Sequence, residues 1–243
     1  MSIKKHIPNT ITCCNLVSGC IATSYAFGGT PDMALLWIII GAIFDFFDGM
    51  SARLLHVSSP IGKELDSLAD DVTFGVAPAT IVFSELYVME YPVFMEPLRQ
   101  VLPYFAFVIA AFSALRLAKF NLDERQTTSF IGVPTPANAL FWGSLIVSSP
   151  SWLTSNSWSV FIILALIIAT SYLLVCELPL FALKFKQWSF KGNEIKYCFA
   201  ALTVVILAIS VITEGARGFL EGWWLVILVY VAISAVRRVK LHA

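Results

Sequence analysis

Long apolar runs, separated by short clusters of turn residues and charge, set the layout of the chain. A hydrocarbon core roughly 30 Å thick takes about 20 apolar helical residues to cross. Eight segments fit that description: about 9–27, 33–57, 62–88, 99–121, 135–150, 157–183, 195–213 and 219–238. The fifth is short and begins after Pro134 and Pro136. Gly28-Gly29-Thr30-Pro31, Ser58-Ser59-Pro60, Tyr91-Pro92, Ser149-Pro150 and Gly192-Asn193 supply the turns between them. No internal repeat, low-complexity linker or soluble domain interrupts the pattern. The pattern predicts an all-α fold, a polytopic membrane helix bundle of about eight transmembrane helices. It forms a single integral membrane domain over 1–243, with a core over about 1–150 and additional helices over about 157–240.

Composition agrees with a membrane chain. Hydrophobic residues make up 58% and charged residues only 13%, about half the charge of a soluble domain. Sixteen Lys plus Arg balance sixteen Asp plus Glu, and no nucleic-acid partner is expected. The placement of charge says more than its sum. With an even number of spans, both termini share one side. That side then collects Lys4, Lys5, Arg53, Lys63, Arg116, Lys119, Arg125, Lys184, Lys186, Lys191, Lys196, Arg237, Arg238 and Lys240, and the other holds only Arg99 and Arg217. A 14 to 2 split orients both termini to the cytoplasm. Lys4 and Lys5 ahead of an apolar run resemble a signal peptide, but the many apolar segments that follow favour a retained first helix. Cys13, Cys14, Cys20, Cys176 and Cys198 lack metal-site spacing and read as small apolar residues in the membrane.

The candidate chemistry lies in residues 45–70, DFFDGMSARLLHVSSPIGKELDSLAD. Asp45 and Asp48 are three apart, Asp66 and Asp70 four apart, so on helices each pair shares a face. The twelve uncharged residues from Met33 to Phe44 cover only about 18 Å as a helix, which leaves Asp45 and Asp48 below the cytoplasmic surface. Each intramembrane Asp costs on the order of 3 kcal/mol. Arg53 and Lys63 cannot neutralise four carboxylates, and divalent metal is the natural remainder. A set of carboxylate oxygens suits Mg²⁺, Mn²⁺ or Ca²⁺ rather than Zn²⁺. Two such ions form a clamp suited to phosphoryl transfer. Gly49 and Ala52 would let a ligand approach the helix backbone, although close helix packing explains small residues equally well. Arg53 offers a fork for phosphate. Asp70 is placed to accept a proton from an attacking hydroxyl. His56 reads as a loop-side residue. Asn9, Thr12 and Asn15 recur every three residues, either to contact the nucleotide or to pack helices.

Asp45-x-x-Asp48-Gly49-x-x-Ala52-Arg53, eight residues, then Gly62-x-x-x-Asp66-x-x-x-Asp70 resembles the full signature of the CDP-alcohol phosphotransferase family. The resemblance implies a cytidine-diphosphate donor, release of CMP and divalent metal, Mg²⁺ or Mn²⁺, as two ions. Carried over by position, Asp45, Asp48, Asp66 and Asp70 hold metal, and Asp70 is the catalytic base. Asp48, Gly49, Ala52, Arg53 and Gly62 lie along the nucleotide and diphosphate, with Lys63, Asn9, Thr12 and Asn15 as further candidates. Asp71 is additional to the signature. IPNTITCCNLVSG, GKELDSLADDVTFGVAPA and ALRLAKFN followed by FIGVPTPANA resemble the phosphatidylserine-forming branch of that family, through roughly the first 140 residues. This implies CDP-diacylglycerol and L-serine as substrates, a catalytic core over about 1–150, a multi-pass cell-membrane protein with its active site facing the cytoplasm, and a homodimer.

A serine carboxylate needs a cation. Arg116 is the first candidate, Lys119 the second, and Asn121 with the Gly132–Pro136 turn could line the acceptor pocket; as positive-inside anchors and plain loop residues they would carry no such role. Two alternatives stand beside this reading. One is the same chemistry with glycerol 3-phosphate or inositol phosphate as acceptor. The other is a cation transporter, which would place its carboxylates nearer the midplane.

Overall fold

The structure is a computed structural model that describes residues 6–57, 59–123, 130–150, 153, 156–180, 190 and 193–242. Lys4, Lys5, Arg125, Lys184, Lys186 and Lys191, and the side chains of Arg237, Arg238 and Lys240, lie outside the described residues.

The described residues are overwhelmingly helical. In chain order they form α1 (His6–Phe27), α2 (Pro31–Leu54), α3 (Pro60–Asp71), α4 (Ala77–Val88), α5 (Val108–Leu122), α6 (Thr135–Ser148), α7 (Ser159–Val175), α8 (Glu194–Glu214), α9 (Gly218–Glu221) and α10 (Trp223–His242). One small exception to the all-α expectation is an antiparallel pair of two-residue strands, β1 (Phe130–Ile131) and β2 (Pro179–Leu180). Five helical stretches are long and apolar enough to cross a membrane: His6–Phe27, Pro31–Leu54, Pro60–Val88, Leu102–Leu122 and Glu194–Glu221. Ser159–Val175 and Trp223–Val236 are shorter apolar helices, and α6 has 14 residues, or about 21 Å. The expected span at 157–183 ends early because Cys176 turns extended, three residues ahead of Pro179, which resists helix on its N-terminal side.

Small residues decide how the first three helices meet. Ser18, Gly19, Ala22 and Ala26 form the buried face of α1, and Ala34 and Gly41 are buried on α2. The chain after α3 does not continue as α-helix: Val72–Val76 is a π-helical turn. Its sequence cause is Pro78, which has no N–H to give the Phe74 carbonyl and whose ring crowds that oxygen. Thr73, in this turn, enters the seam between α1 and α2. A Cβ on Gly19 would sit 2.8 Å from Thr73 Cα, and one on Gly41 would sit 2.5 Å from Thr73 Cγ2. Thr73 Oγ1 donates to the Asn15 carbonyl at 3.0 Å. Between helices in lipid, such van der Waals fit and buried hydrogen bonds supply much of the attraction.

Gly19→Val is therefore expected to overpack this seam by about 1–3 kcal/mol. The thermal unfolding midpoint in detergent should fall clearly, and an unchanged midpoint would show that the seam tolerates bulk.

The last helices are fastened to this core at its other end. Arg217 Nε donates to Asp32 Oδ1 at 2.9 Å, and Arg217 Nη2 to the Val147 carbonyl at 3.1 Å. Ser144 Oγ donates to the Glu221 carbonyl and accepts from Trp224 N, both at 2.9 Å. Trp142, fully buried in α6, donates through Nε1 to Thr170 Oγ1 of α7 at 3.1 Å.

Candidate active site

Asp45 and Asp48 stand one turn apart on α2, and Asp66 comes from the middle of α3. Packing of both helices against α1 closes the gap between them. Each of the three carboxylates offers an oxygen, and these oxygens lie within 4.8 Å of one another. Asp48 is nearly buried, at 6% exposed. Asp70, one turn beyond Asp66, stands outside this set of three and beside it.

α1 holds the carboxylates in place. Thr12 Oγ1 donates to Asp48 Oδ2 at 2.6 Å. Asn15 Nδ2 donates to Asp70 Oδ1 at 3.1 Å. Both donors are buried; the bond to Asp48 is buried and the bond to Asp70 partly so, and each fixes a carboxylate's orientation. The start of α3 is set by Ser59, whose Oγ accepts from Gly62 N at 3.0 Å, an N-cap followed by Pro60 in the first turn.

A cavity of about 280 Å³ opens beside the carboxylates. Eight sequence-predicted residues line it: Asn9, Thr12, Asp48, Gly49, Ala52, Gly62, Lys63 and Asp66. The signature's small residues have visible reasons. A Cβ on Gly49 would meet only Arg53 Nη1, at 3.6 Å, so Gly49 leaves α2 open to the cavity. A Cβ on Gly62 would lie 3.1 Å from Asn9 Oδ1, so Gly62 lets α3 approach α1. Sequence reading missed Pro8, Val57 and Ser59 as lining residues; the Ser59-Pro60 capping pattern was the available signal.

Other predicted residues sit elsewhere. Asn15 is absent from the cavity lining and serves Asp70. Arg53 is exposed at the rim. Lys63 Nζ donates to the Asn121 carbonyl at 2.9 Å, and Asn121 Nδ2 to Ser67 Oγ at 2.7 Å. Asn121 thus ties the end of α5 to α3. Lys119 is exposed. Asp71 points away from the three carboxylates, toward Ser113 and Gly75. Arg116 is 7% exposed, its guanidinium 5.3 Å above the Phe120 ring, and near enough to Asp70 for the charges to interact.

This donor set fits a hard divalent cation. It is all carboxylate oxygen, with no histidine or thiolate among the clustered residues. The nearby cations do not neutralise it: Lys63 is directed to Asn121, and Arg53 is at the rim.

Comparison with known proteins agrees with this geometry. A family model described as CDP-alcohol phosphatidyltransferase matches residues 5–233. Three similar proteins carry the name CDP-diacylglycerol–serine O-phosphatidyltransferase. The one from Bacillus subtilis is 39% identical over 132 residues, 54% of this chain and 70% of that protein. The one from Mycobacterium tuberculosis H37Rv is 30% identical over 232 residues, 91% of this chain and 74% of that protein. The one from Saccharomyces cerevisiae is 35% identical over 147 residues, 54% of this chain and 50% of that protein. With the match running across both the carboxylate helices and the later ones, the chain belongs to the CDP-alcohol phosphatidyltransferase family.

Proposed function

We propose that this membrane enzyme transfers the phosphatidyl group of CDP-diacylglycerol to the hydroxyl of L-serine, giving phosphatidylserine and CMP. The observation that carries the reading is the carboxylate set of Asp45, Asp48 and Asp66, two of which, Asp48 and Asp66, line a cavity together with Gly49, Ala52 and Gly62. The names of the relatives support serine as the acceptor.

Asp45, Asp48 and Asp66, with Asp70 beside them, would hold Mg²⁺ or Mn²⁺, most economically as two ions. Bound there, the metal supplies positive charge for the diphosphate and for the leaving oxygen. The nucleotide and diphosphate lie along the open backbone at Gly49 and Ala52, with Asn9, Thr12 and Lys63 around them. The serine oxygen attacks the lipid-proximal phosphorus. Asp70 takes the hydroxyl proton, the bond to the bridging oxygen breaks, and CMP leaves with that electron pair. Asn15 keeps Asp70 aimed by donating to its other oxygen. Arg116, close enough to Asp70 for their charges to interact, would meet the acceptor's carboxylate, with Lys119 and Asn121 further along α5 as lesser candidates. Positioning and electrostatics supply most of the rate.

Counting the shorter helices as crossings gives eight spans, both termini in the cytoplasm and a site facing the cytoplasm, in keeping with the 14 to 2 division of cations. The core over about 1–150 carries the chemistry, helices over about 157–240 are additional, and family likeness favours a homodimer.

The test uses purified full-length chain in detergent with CDP-diacylglycerol and labelled serine. Phosphatidylserine and CMP should form one for one, cease with chelator and return with Mg²⁺ or Mn²⁺. Product from glycerol 3-phosphate or inositol phosphate, and none from serine, would overturn the acceptor. Metal-dependent CMP release without any ion gradient separates an enzyme from a cation transporter.

A further inference from the structure

With serine as the acceptor, its carboxylate needs a built site, and we infer that the start of α6 forms that site together with Arg116, through Thr135 and Asn138. Three observations meet there. The first is Arg116 itself, 7% exposed, with no hydrogen-bond partner for Nε. A buried guanidinium with an unused donor calls for an acceptor-rich anion. Among the described residues, the carboxylate whose charge it feels is Asp70, which already accepts from Asn15.

The second is a pair of buried donors in the first turn of α6. Thr135 is 0% exposed and Asn138 3%, and neither Thr135 Oγ1 nor Asn138 Nδ2 has a hydrogen-bond partner. Buried polar groups are nearly always satisfied, so two orphans in the first turn of one helix point to a missing ligand. They are three residues apart and share a face. The third is the helix end. Pro134 precedes α6 and no side chain caps it, so the N–H groups of Thr135 and Ala137 and the positive end of the helix dipole remain for an anion.

Topology brings these groups toward Asp70. α6 packs against α3, the π-helical turn and α5. α3 carries Asp70 and α5 carries Arg116, so the elements that bear both groups pack against the helix that Thr135 and Asn138 open. With Arg116 close enough to Asp70 for their charges to interact, the inferred site takes a short molecule that turns its carboxylate to Arg116 and its hydroxyl to Asp70. The acceptor class is therefore a small hydroxy acid, and L-serine belongs to it. This inference rests on the serine reading and adds its specificity-determining residues.

Steady-state kinetics on the purified full chain tests it with Asn138→Asp, which replaces a donor by a like charge, and Thr135→Val, which removes only a hydroxyl. Asn138→Asp should raise the serine KM at least twentyfold and Thr135→Val about fivefold, with the CDP-diacylglycerol KM within twofold of the parent. 3-Hydroxypropionate, which keeps the carboxylate and hydroxyl, should compete with serine in the parent and lose potency in Asn138→Asp; ethanolamine, which lacks the carboxylate, should show no such change. A merely structural role would move the donor KM as well. If Asn138→Asp does not fold, Thr135→Val decides. A serine KM within twofold of the parent in the folded variants overturns the site. A parent that forms no phosphatidylserine overturns the serine reading itself, before any variant is compared.

Discussion

Asp70→Asn is expected to bind CDP-diacylglycerol and divalent metal and to turn over at least a thousandfold more slowly, the loss of a general base being worth about 10²- to 10⁴-fold. Asp70 is the carboxylate that stands beside the set of three rather than in it. One of its oxygens is occupied by Asn15 Nδ2 at 3.1 Å. In the variant the amide oxygen keeps that hydrogen bond, and the amide nitrogen replaces the oxygen that would receive the serine proton. A donor then faces a hydroxyl that must itself donate, and the near-isosteric change leaves packing intact. Donor binding, measured by equilibrium dialysis with labelled CDP-diacylglycerol in micelles, should be within a few-fold of the parent. Turnover within tenfold of the parent would show that another group takes the proton.

Asp66→Ala should abolish activity and, in metal-free protein, raise stability. Asp66 is the one member of the clustered set contributed by α3; Asp45 and Asp48 both come from α2. Removing it leaves a pair on α2, with Asp70 outside the cluster as the nearest carboxylate of α3. The same three carboxylates, within 4.8 Å of one another, repel when no cation lies among them. Deleting one relieves that repulsion, as expected where function keeps an unfavourable arrangement. The thermal midpoint in chelator should therefore exceed that of the parent. Adding Mn²⁺ should stabilise the parent by mass action and leave the variant nearly unchanged. A variant that still gains stability from Mn²⁺ like the parent would place the ion elsewhere.

How much of this was legible in the sequence depends on the range of the interaction. Asp45, Asp48, Asp66 and Asp70 announced themselves because helical spacing is local and an intramembrane carboxylate is costly. The first four long spans followed from apolar runs for the same reason. The π-helical turn was missed inside the segment read as 62–88, although Pro78 marked it. Asn15 was seen, but its partner, 55 residues away, was not. Asn138 lies in the quoted stretch FIGVPTPANA, but nothing local singles it out: an asparagine in an apolar helix gains meaning only when its burial and its missing partner are known. The late helices were harder for another reason. Their apolar runs are generic, and the point where α7 stops depends on Cys176 turning extended ahead of Pro179.

The π-helical turn at Val72–Val76 has a geometric consequence. A turn closed by bonds one residue longer than those of an α-helix shifts everything after it by about 100° around the axis. α3 and α4 are thus indexed to different partners: α3 aims its carboxylates at α2, while α4 keeps its own apolar side on the core. Deleting one residue from this turn would change composition and hydropathy hardly at all. It would put the two halves back in phase, and Asp66 and Asp70 would sweep about 100° away from Asp45 and Asp48. The site is set by angle as much as by the identity of its acids.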